Sequence, residues 1–387
     1  DYLWAVYGNH YDASEDGWSG ASLIAHTSRK AESTDVGVDK NGNAVAVWID
    51  SGDLYTARYT ASSSTWSTTG AVHDDGGDEI SEARVAVAQS GEAALVWHRC
   101  IGSTSDQIMA DYAGAPGTWD NPAWVGPTPL WSHYQLGSPR VGIDGQGNAI
   151  FLGKYVSGYR EVRAQRYDGS NWTADGNIRG STTDQSMYDL QIGVGEGGNA
   201  VALWNERRED DDTGTLKQEV RAVPYTAGGS WGGLQIVSEA FDWVVDPSLG
   251  VDKDGNAIVA WARSEQAVLS GFYTSRLDFS TDTWSTATEV TDDGISNPEL
   301  AMDTDGDAVL VWEDGFNIVA SRYEQSSGSW EEPAPIESGM GDVRDPVLGI
   351  ASNAEGHAMA VWQQEEGANG PLGLFASPFD GIERSWD

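Results

Sequence analysis

The sequence holds one cysteine, Cys100, so no disulfide can form within the chain. Lysine is nearly as scarce, with five residues, and all basic residues together number 22 against 60 acidic ones, a formal net charge of −38. A surface of that sign repels nucleic acid and anionic membranes, which excludes both as partners. The acids are spread along the whole chain, so they read as a solvated surface that favours solubility and attracts cations. No stretch approaches the ~18 consecutive apolar residues of a membrane helix, which excludes membrane insertion by such a span. No segment of useful length carries the apolar period of about 3.6 residues that marks an amphipathic helix. The P-loop, the zincin pair, the CxxC pair and the nucleophile elbow are all missing. Gly193-Val194-Gly195-Glu196-Gly197-Gly198 spaces its glycines like a dinucleotide fingerprint, but no helical pattern follows it, so it reads as a strand hairpin.

What is present is a repeat. Gly37-Val38-Asp39-Lys40-Asn41-Gly42-Asn43-Ala44-Val45-Ala46-Val47-Trp48 returns closely at 250–261 and 301–312, and more loosely at 86–97, 142–153, 193–204 and 349–362. The seven copies end at 48, 97, 153, 204, 261, 312 and 362, a period of 49 to 57 residues. Within each copy a short apolar strand meets a Gly-containing turn, where glycine supplies the positive φ the turn needs. The Ala-Val-Ala-Val-Trp run that follows is apolar on both faces, the pattern of a strand buried on both sides. About ten residues on come Ala57-Arg58-Tyr59, Gln165-Arg166-Tyr167 and Ser321-Arg322-Tyr323, which alternate as half-exposed strands do. A tryptophan follows the aromatic, as Trp66 follows Tyr59 and Trp330 follows Tyr323.

Each unit therefore predicts four strands, and units of that size at that period indicate a β-propeller of seven blades, a single domain over 1–387. The outer tryptophan occurs eight times, at 18, 66, 119, 172, 231, 284, 330 and 386, against seven inner hairpins. This predicts that residues around Leu23-Ile24-Ala25 supply the outermost strand of the last blade and close the ring by N- and C-terminal strands. One third-strand copy, around Val6 to Tyr11, is then surplus. It reads as an extra edge strand or as the remnant of an eighth, truncated blade.

The repeats resemble the D-x-x-G-N-A-V-A-V-W propeller repeats of many bacterial secreted and surface proteins. The resemblance spans residues 30 to 380 and implies the fold and a secreted or cell-surface location. It implies no particular function, because fold alone does not carry one.

Ligands of propellers sit over one face, where the loops after the second strands and before the first strands converge. Those loops hold His98, Arg99, His133, Lys154, Tyr155, Tyr188, Arg207, Trp243 and Arg263, the candidate ligand-binding residues. A cationic spot on an acidic protein suits an anionic ligand such as a uronate or sulfated glycan, and the aromatic side chains suit stacking on sugar rings. Most tryptophans are locked to the repeat and read as core. Trp124, Trp131 and Trp243 fall off its register, so they are the better platforms. The leading expectation is a binding propeller with a glycan or protein ligand, adhesin-like or lectin-like.

A polysaccharide lyase is the enzymatic alternative. It needs a base such as His98, His133, Tyr155 or Tyr188 and a neutralising cation such as Arg99, Lys154, Arg207 or Arg263. A structural subunit of a surface layer or filament is the third alternative. Cofactors are not required. Asp252-Lys253-Asp254-Gly255-Asn256 and Asp303-Thr304-Asp305-Gly306-Asp307 offer oxygens to calcium, but turn chemistry accounts for them, and no metal ligands are assigned. Cys100 is expected to be a buried apolar thiol.

Overall fold

The computed structural model describes residues 4–12, 17–73, 78–102, 105–114, 124–157, 159–179, 186–209, 214–239, 241, 243–265, 268–292, 296–315, 317–337, 343–350, 357–365, 372–381 and 385–386. The repeat tryptophan at 119 lies outside them. The chain is a seven-bladed β-propeller built of small antiparallel sheets. Among the described residues the only helical element is one 3-10 turn, Ala61–Ser63. Contacts group the chain into two compact units, residues 1–181 and 182–387.

The first unit holds blades 1 to 3. Blade 1 spans residues 32–73. Blade 2 is Glu79–Val87, Ala93–Ile101, Ser105–Ala113 and Thr128–His133. Blade 3 is Leu136–Ile143, Ala149–Val156, Arg160–Tyr167 and Trp172–Asn177. The second unit holds blades 4 to 7. Blade 4 is Ser186–Val194, Ala200–Glu209, Leu216–Tyr225 and Gln235–Ile236. Blade 5 runs Trp243–Val251, Ala257–Glu265 and Val268–Asp278, then Thr283–Trp284 and Thr288–Thr291. Blades 6 and 7 occupy 296–335 and 343–386.

The doubly apolar second strands are buried as their composition predicts, with Ala44–Asp50 buried throughout. Trp48, Trp97, Trp204, Trp261 and Trp312 are fully buried at one position of the blade. Each such side chain contributes about 1.5–3 kcal/mol by leaving water. Blade 3 has Gly153 at that position, and a Cβ there would collide with Ile108 and lie 3.0 Å from the Trp131 ring. Trp131 fills the space instead.

The third strands are more buried than their alternation suggested. Arg58 has no exposed surface and Arg322 is buried beside Asp307 and Glu331. The fourth strand and its tryptophan cover them: Tyr59 faces Trp66 at 5.2 Å between ring centroids, Tyr167 faces Trp172 at 4.6 Å, and Phe379 faces Trp386 at 5.1 Å. Such cross-strand aromatic pairs close the outer hairpin of a blade. The first strands are the half-exposed ones, with Val36 and Val38 open by more than half.

The glycine that opens the repeat phrase has a packing reason. A Cβ on Gly37 would lie 2.7 Å from Val87 Cγ2, and one on Gly250 would lie 2.7 Å from Met302 Cβ, both on the next blade's first strand. Gly193 meets Val251 in the same way. Close approach of first strands leaves no room for a Cβ at these three positions, whereas the copies at 86 and 301 carry alanine there.

The Asp and Asn of the turn are spent on the turn itself. Asp39 Oδ1 accepts from the amides of Asn41 and Asn43 at 2.8 and 3.0 Å, and Asn43 Nδ2 donates to Oδ2 at 2.9 Å. Asp144 and Asp252 repeat the pattern. The second side chain also latches the turn to the end of the third strand. Asn43, Asn199, Asn256 and Asp307 accept from the amides of Ala61, Ala227, Phe279 and Gln325.

The N-terminal strands correct the expected closure. Ser22–Thr27 pairs antiparallel with Trp4–Gly8, placing Ala25 opposite Val6, and Trp18 stands opposite Tyr11. Residues around Leu23-Ile24-Ala25 thus pair in a local hairpin with Trp4–Gly8, where the outermost strand of the last blade was expected. Local pairing closes a short loop, which costs less entropy than pairing across the chain. In blade 7 the fourth strand is Ser385–Trp386, paired at Phe379 and Asp380.

One feature recurs without a sequence pattern to announce it. Among the described residues six first strands carry a bulge in register with a left-handed residue: Ser33, Glu82, Ser138, Asp189, Asp246 and Asn297, with φ between 46° and 55°. Bulges re-aim the chain at the strand end. These lie beside the loops that hold the candidate site residues.

Candidate functional site

In the first unit the end of the second strand of blade 2 carries His98, Arg99 and Cys100. Alternation along a strand sends His98 and Cys100 to one face and Arg99 to the other. Arg99 is clamped by Asp78, with Nη2 2.7 Å and Nε 3.0 Å from Oδ2. That carboxylate competes with any anionic ligand. His98 Nδ1 lies 3.0 Å from Ser81 Oγ, and Nε2 lies 3.8 Å from Asp106 Oδ2.

Cys100 is half-buried, and its surroundings are polar, which corrects the apolar reading. Its strand register sets Asp106 on one side and Glu79 on the other, and Sγ lies 3.9 Å from His98 Nδ1. Burial first, and then the charges of Asp106, Glu79 and Glu82, push the thiol up to about 11.

His133 and Tyr155, drawn from different loops, are brought together. The His133 ring sits 4.4 Å from Tyr134 and 4.5 Å from Tyr155 between centroids. The Arg163 guanidinium lies 3.4 Å over the Tyr155 ring, and its Nε is 2.8 Å from Glu161 Oε2. His133 Nδ1 is buried without a hydrogen-bond partner. Lys154 lies next to Tyr155, half-buried and opposite Gly137.

In the second unit Trp243 is 46% exposed at the start of blade 5, and the Arg207 guanidinium of blade 4 lies 5.3 Å over its ring. Tyr188 is exposed opposite Asn205. The Arg263 guanidinium lies 4.9 Å from the Phe241 ring and 4.0 Å from the Tyr273 ring. The Tyr273 hydroxyl donates to Glu289 Oε1 at 2.8 Å, and burial followed by that bond raises its pKa.

A cavity of about 530 Å³ opens here between blades 4 and 5, lined by Arg208, Glu219, Phe241, Trp261, Arg263 and Tyr273. Trp261 Nε1 is buried on it without an acceptor. The equivalent Trp204 and Trp362 donate to Glu206 and Gln364 two residues on, whereas Trp261 and Trp97 have an arginine there and no acceptor. A larger cavity, about 590 Å³ between blades 5 and 6, carries none of the sequence-derived candidates.

Of the three off-register tryptophans, only Trp243 offers a surface. Trp124 packs on the apolar layer of blades 1 and 2, and Trp131 on that of blades 2 and 3. Arg163, Glu161, Asp106 and Phe241 escaped the sequence reading. Arg163, Glu161 and Asp106 sit on third strands rather than in the loops that flank the first and second strands. Arg163 stands opposite Gly153 in the strand pairing, and its guanidinium reaches over the Tyr155 ring. Asp242, Asp293 and Asp342, in the loops before the first strands, lie outside the described residues.

Comparison with protein-family models and with curated proteins finds no match. Solved structures do match. An ulvan lyase bound to -[GlcA(1-4)Rha3S]- is similar at 11% identity and a TM-score of 0.54, over 90% of this chain and 91% of that one. A second polysaccharide lyase is similar at 10% identity and a TM-score of 0.56, over 90% of each chain. A puromycin hydrolase matches at 13% identity and a TM-score of 0.53, over 93% of this chain and 53% of that one. At these identities the likeness establishes the propeller fold.

Proposed function

We propose that this chain is a secreted or cell-surface propeller that binds an anionic glycan, with arginines receiving its carboxylate or sulfate groups and aromatic rings its sugar faces. The observation that carries the reading is an arginine–aromatic stack that recurs at blades 3, 4 and 5. Arg163 stacks on Tyr155, Arg207 on Trp243 and Arg263 on Tyr273. An arginine laid flat on a ring directs its N–H groups outward in its own plane, and Arg163 already uses one of them on Glu161. In a chain of net charge −38, these stacked cations stand out. The likeness to an ulvan lyase bound to a fragment of glucuronate and sulfated rhamnose supports the same ligand class.

The test is retention on a panel of neutral, uronate-rich and sulfated polysaccharides. Retention by the acidic members, weakening with salt, is expected. Equal retention of neutral members, or none of any, would sink the reading.

His133 against Tyr155 with Arg163 overhead favours a second reading, a polysaccharide lyase in which Tyr155 or His133 takes the proton beside a uronate carboxylate. New unsaturated ends released from the same panel, abolished by Tyr155→Phe, would establish it. Binding without release leaves the first reading standing.

A further inference from the structure

The row of side chains on one face of blade 2 has a chemistry that glycan binding does not use. Cys100 stands opposite Asp106 on the third strand and Glu79 on the first, and His98 lies two residues before Cys100 on the same face. One ligand atom each from His98, Cys100 and Asp106 falls within 4.8 Å of the others. A tetrahedral zinc ion, with Zn–S about 2.3 Å and Zn–N about 2.0–2.1 Å, sets its ligand atoms roughly 3.4–3.6 Å apart. The observed His98 Nε2 separations, 3.8 Å to Asp106 Oδ2 and 4.0 Å to Cys100 Sγ, exceed that by a few tenths of an ångström.

We propose that His98, Cys100 and Asp106 bind one divalent ion of zinc-like softness, leaving its fourth position to water. Imidazole, thiolate and carboxylate together are a donor set for zinc rather than for calcium or magnesium, which take oxygen. The supporting contacts are in place. Ser81 Oγ holds His98 Nδ1 at 3.0 Å, which leaves Nε2 as the ligand atom, 3.8 Å from Asp106 Oδ2. The Leu136 amide donates to Asp106 Oδ2 at 3.2 Å and fixes that carboxylate. Partners of this kind orient metal-binding side chains. Glu79 and Glu82 add negative charge that draws a cation in. The site joins the first three strands of blade 2 at their open end. It stands independently of the glycan reading.

The test uses the full chain, stripped with chelator and titrated with Co²⁺. Cys100 is the only thiol, so any thiolate signal reports on it alone. The expected result is one Co²⁺ per chain with a sulfur-to-cobalt charge-transfer band, displaced by Zn²⁺ and unaffected by Ca²⁺. Zn²⁺ should also protect Cys100 of the unmodified chain from alkylation. Cys100→Ser should lose the band, and Ser81→Ala, which positions His98, should weaken binding roughly 10–100-fold while keeping it. Cobalt bound without the band, or alkylation unchanged by Zn²⁺, would overturn the proposal.

Discussion

Gly193 gives the sharpest test of the packing. It is strand backbone with ordinary φ, and a Cβ built on it overlaps the Val251 side chain, with Val251 Cβ at 3.0 Å and Leu249 Cδ2 at 3.4 Å. Where space is open, replacing such a glycine by alanine stabilises by about 0.4–1 kcal/mol, because the unfolded chain loses freedom. Here the added methyl has none. Val251 branches at Cβ, so turning about χ1 brings another substituent round rather than clearing the way. Overpacking then costs about 1–3 kcal/mol and reverses the sign. Gly233 is the control: nothing lies within 4 Å of its Cβ position. Urea unfolding of Gly193→Ala, Gly233→Ala and the pair Gly193→Ala with Val251→Ala separates the terms. The first should lose stability, the second should gain, and the double variant should show a coupling of roughly 0.5–3 kcal/mol. If Gly193→Ala matched Gly233→Ala, close approach of the first strands would not be the reason for the glycine column.

Three further outcomes are expected. Trp243→Ala and Arg207→Ala should each weaken retention on an acidic polysaccharide by the equivalent of about 0.5–1 kcal/mol, with unfolding unchanged, as measured by affinity electrophoresis against urea titration. Asp111 Oδ2 is buried without a partner, and burial pushes the carboxyl up to about 6 against the pull of the Tyr112 and Gly126 amides. The folded state therefore holds a proton the unfolded state releases, so this group's stabilisation is full below about pH 4 and falls by about 3 kcal/mol as pH rises through 6. Asp111→Asn should remove that part of the slope in unfolding measured from pH 4 to 8, and an unchanged slope would contradict it. Glu206→Ala strands the buried Trp204 indole, whose Nε1 donates to Glu206 Oε2 at 3.0 Å, and should cost about 1–3 kcal/mol of stability by thermal unfolding.

The fold was legible because its determinants are local and repeated. The Ala-Val-Ala-Val-Trp strand, the Gly turn and the aromatic–tryptophan hairpin each state their role within a dozen residues. Burial of the third strands was not legible. Arg58 looks like a solvent-facing residue until the neighbouring strand covers it. The pairing of Leu23-Ile24-Ala25 was not legible either: the repeat count pointed to the last blade, and the strand pairs with its near neighbour Trp4–Gly8. The left-handed bulges fall on Ser, Glu, Asp and Asn, residue types common everywhere in this chain, so no composition singles them out. At the candidate site, His133 and Tyr155 were found by asking which loops meet. Arg163 and Asp106 were missed because strand residues were assigned to packing. Cys100 was misjudged because its three polar neighbours come from other strands or from two positions away.

The latch between turn and third strand shows what is inherited from one blade to the next. Asp307 does the work of Asn43, Asn199 and Asn256 because the position requires one acceptor oxygen and nothing more of the amide. Its surplus charge is taken up by Arg322, a residue of the same blade. In blade 4 the preceding aspartate has become Gly195, yet Asn199 still accepts from Ala227 and its Nδ2 turns to the Asp254 carbonyl of the next blade. Copies of the repeat can thus drift in spelling while keeping their grammar, and kinship among such blades is better traced by hydrogen-bond role than by residue identity.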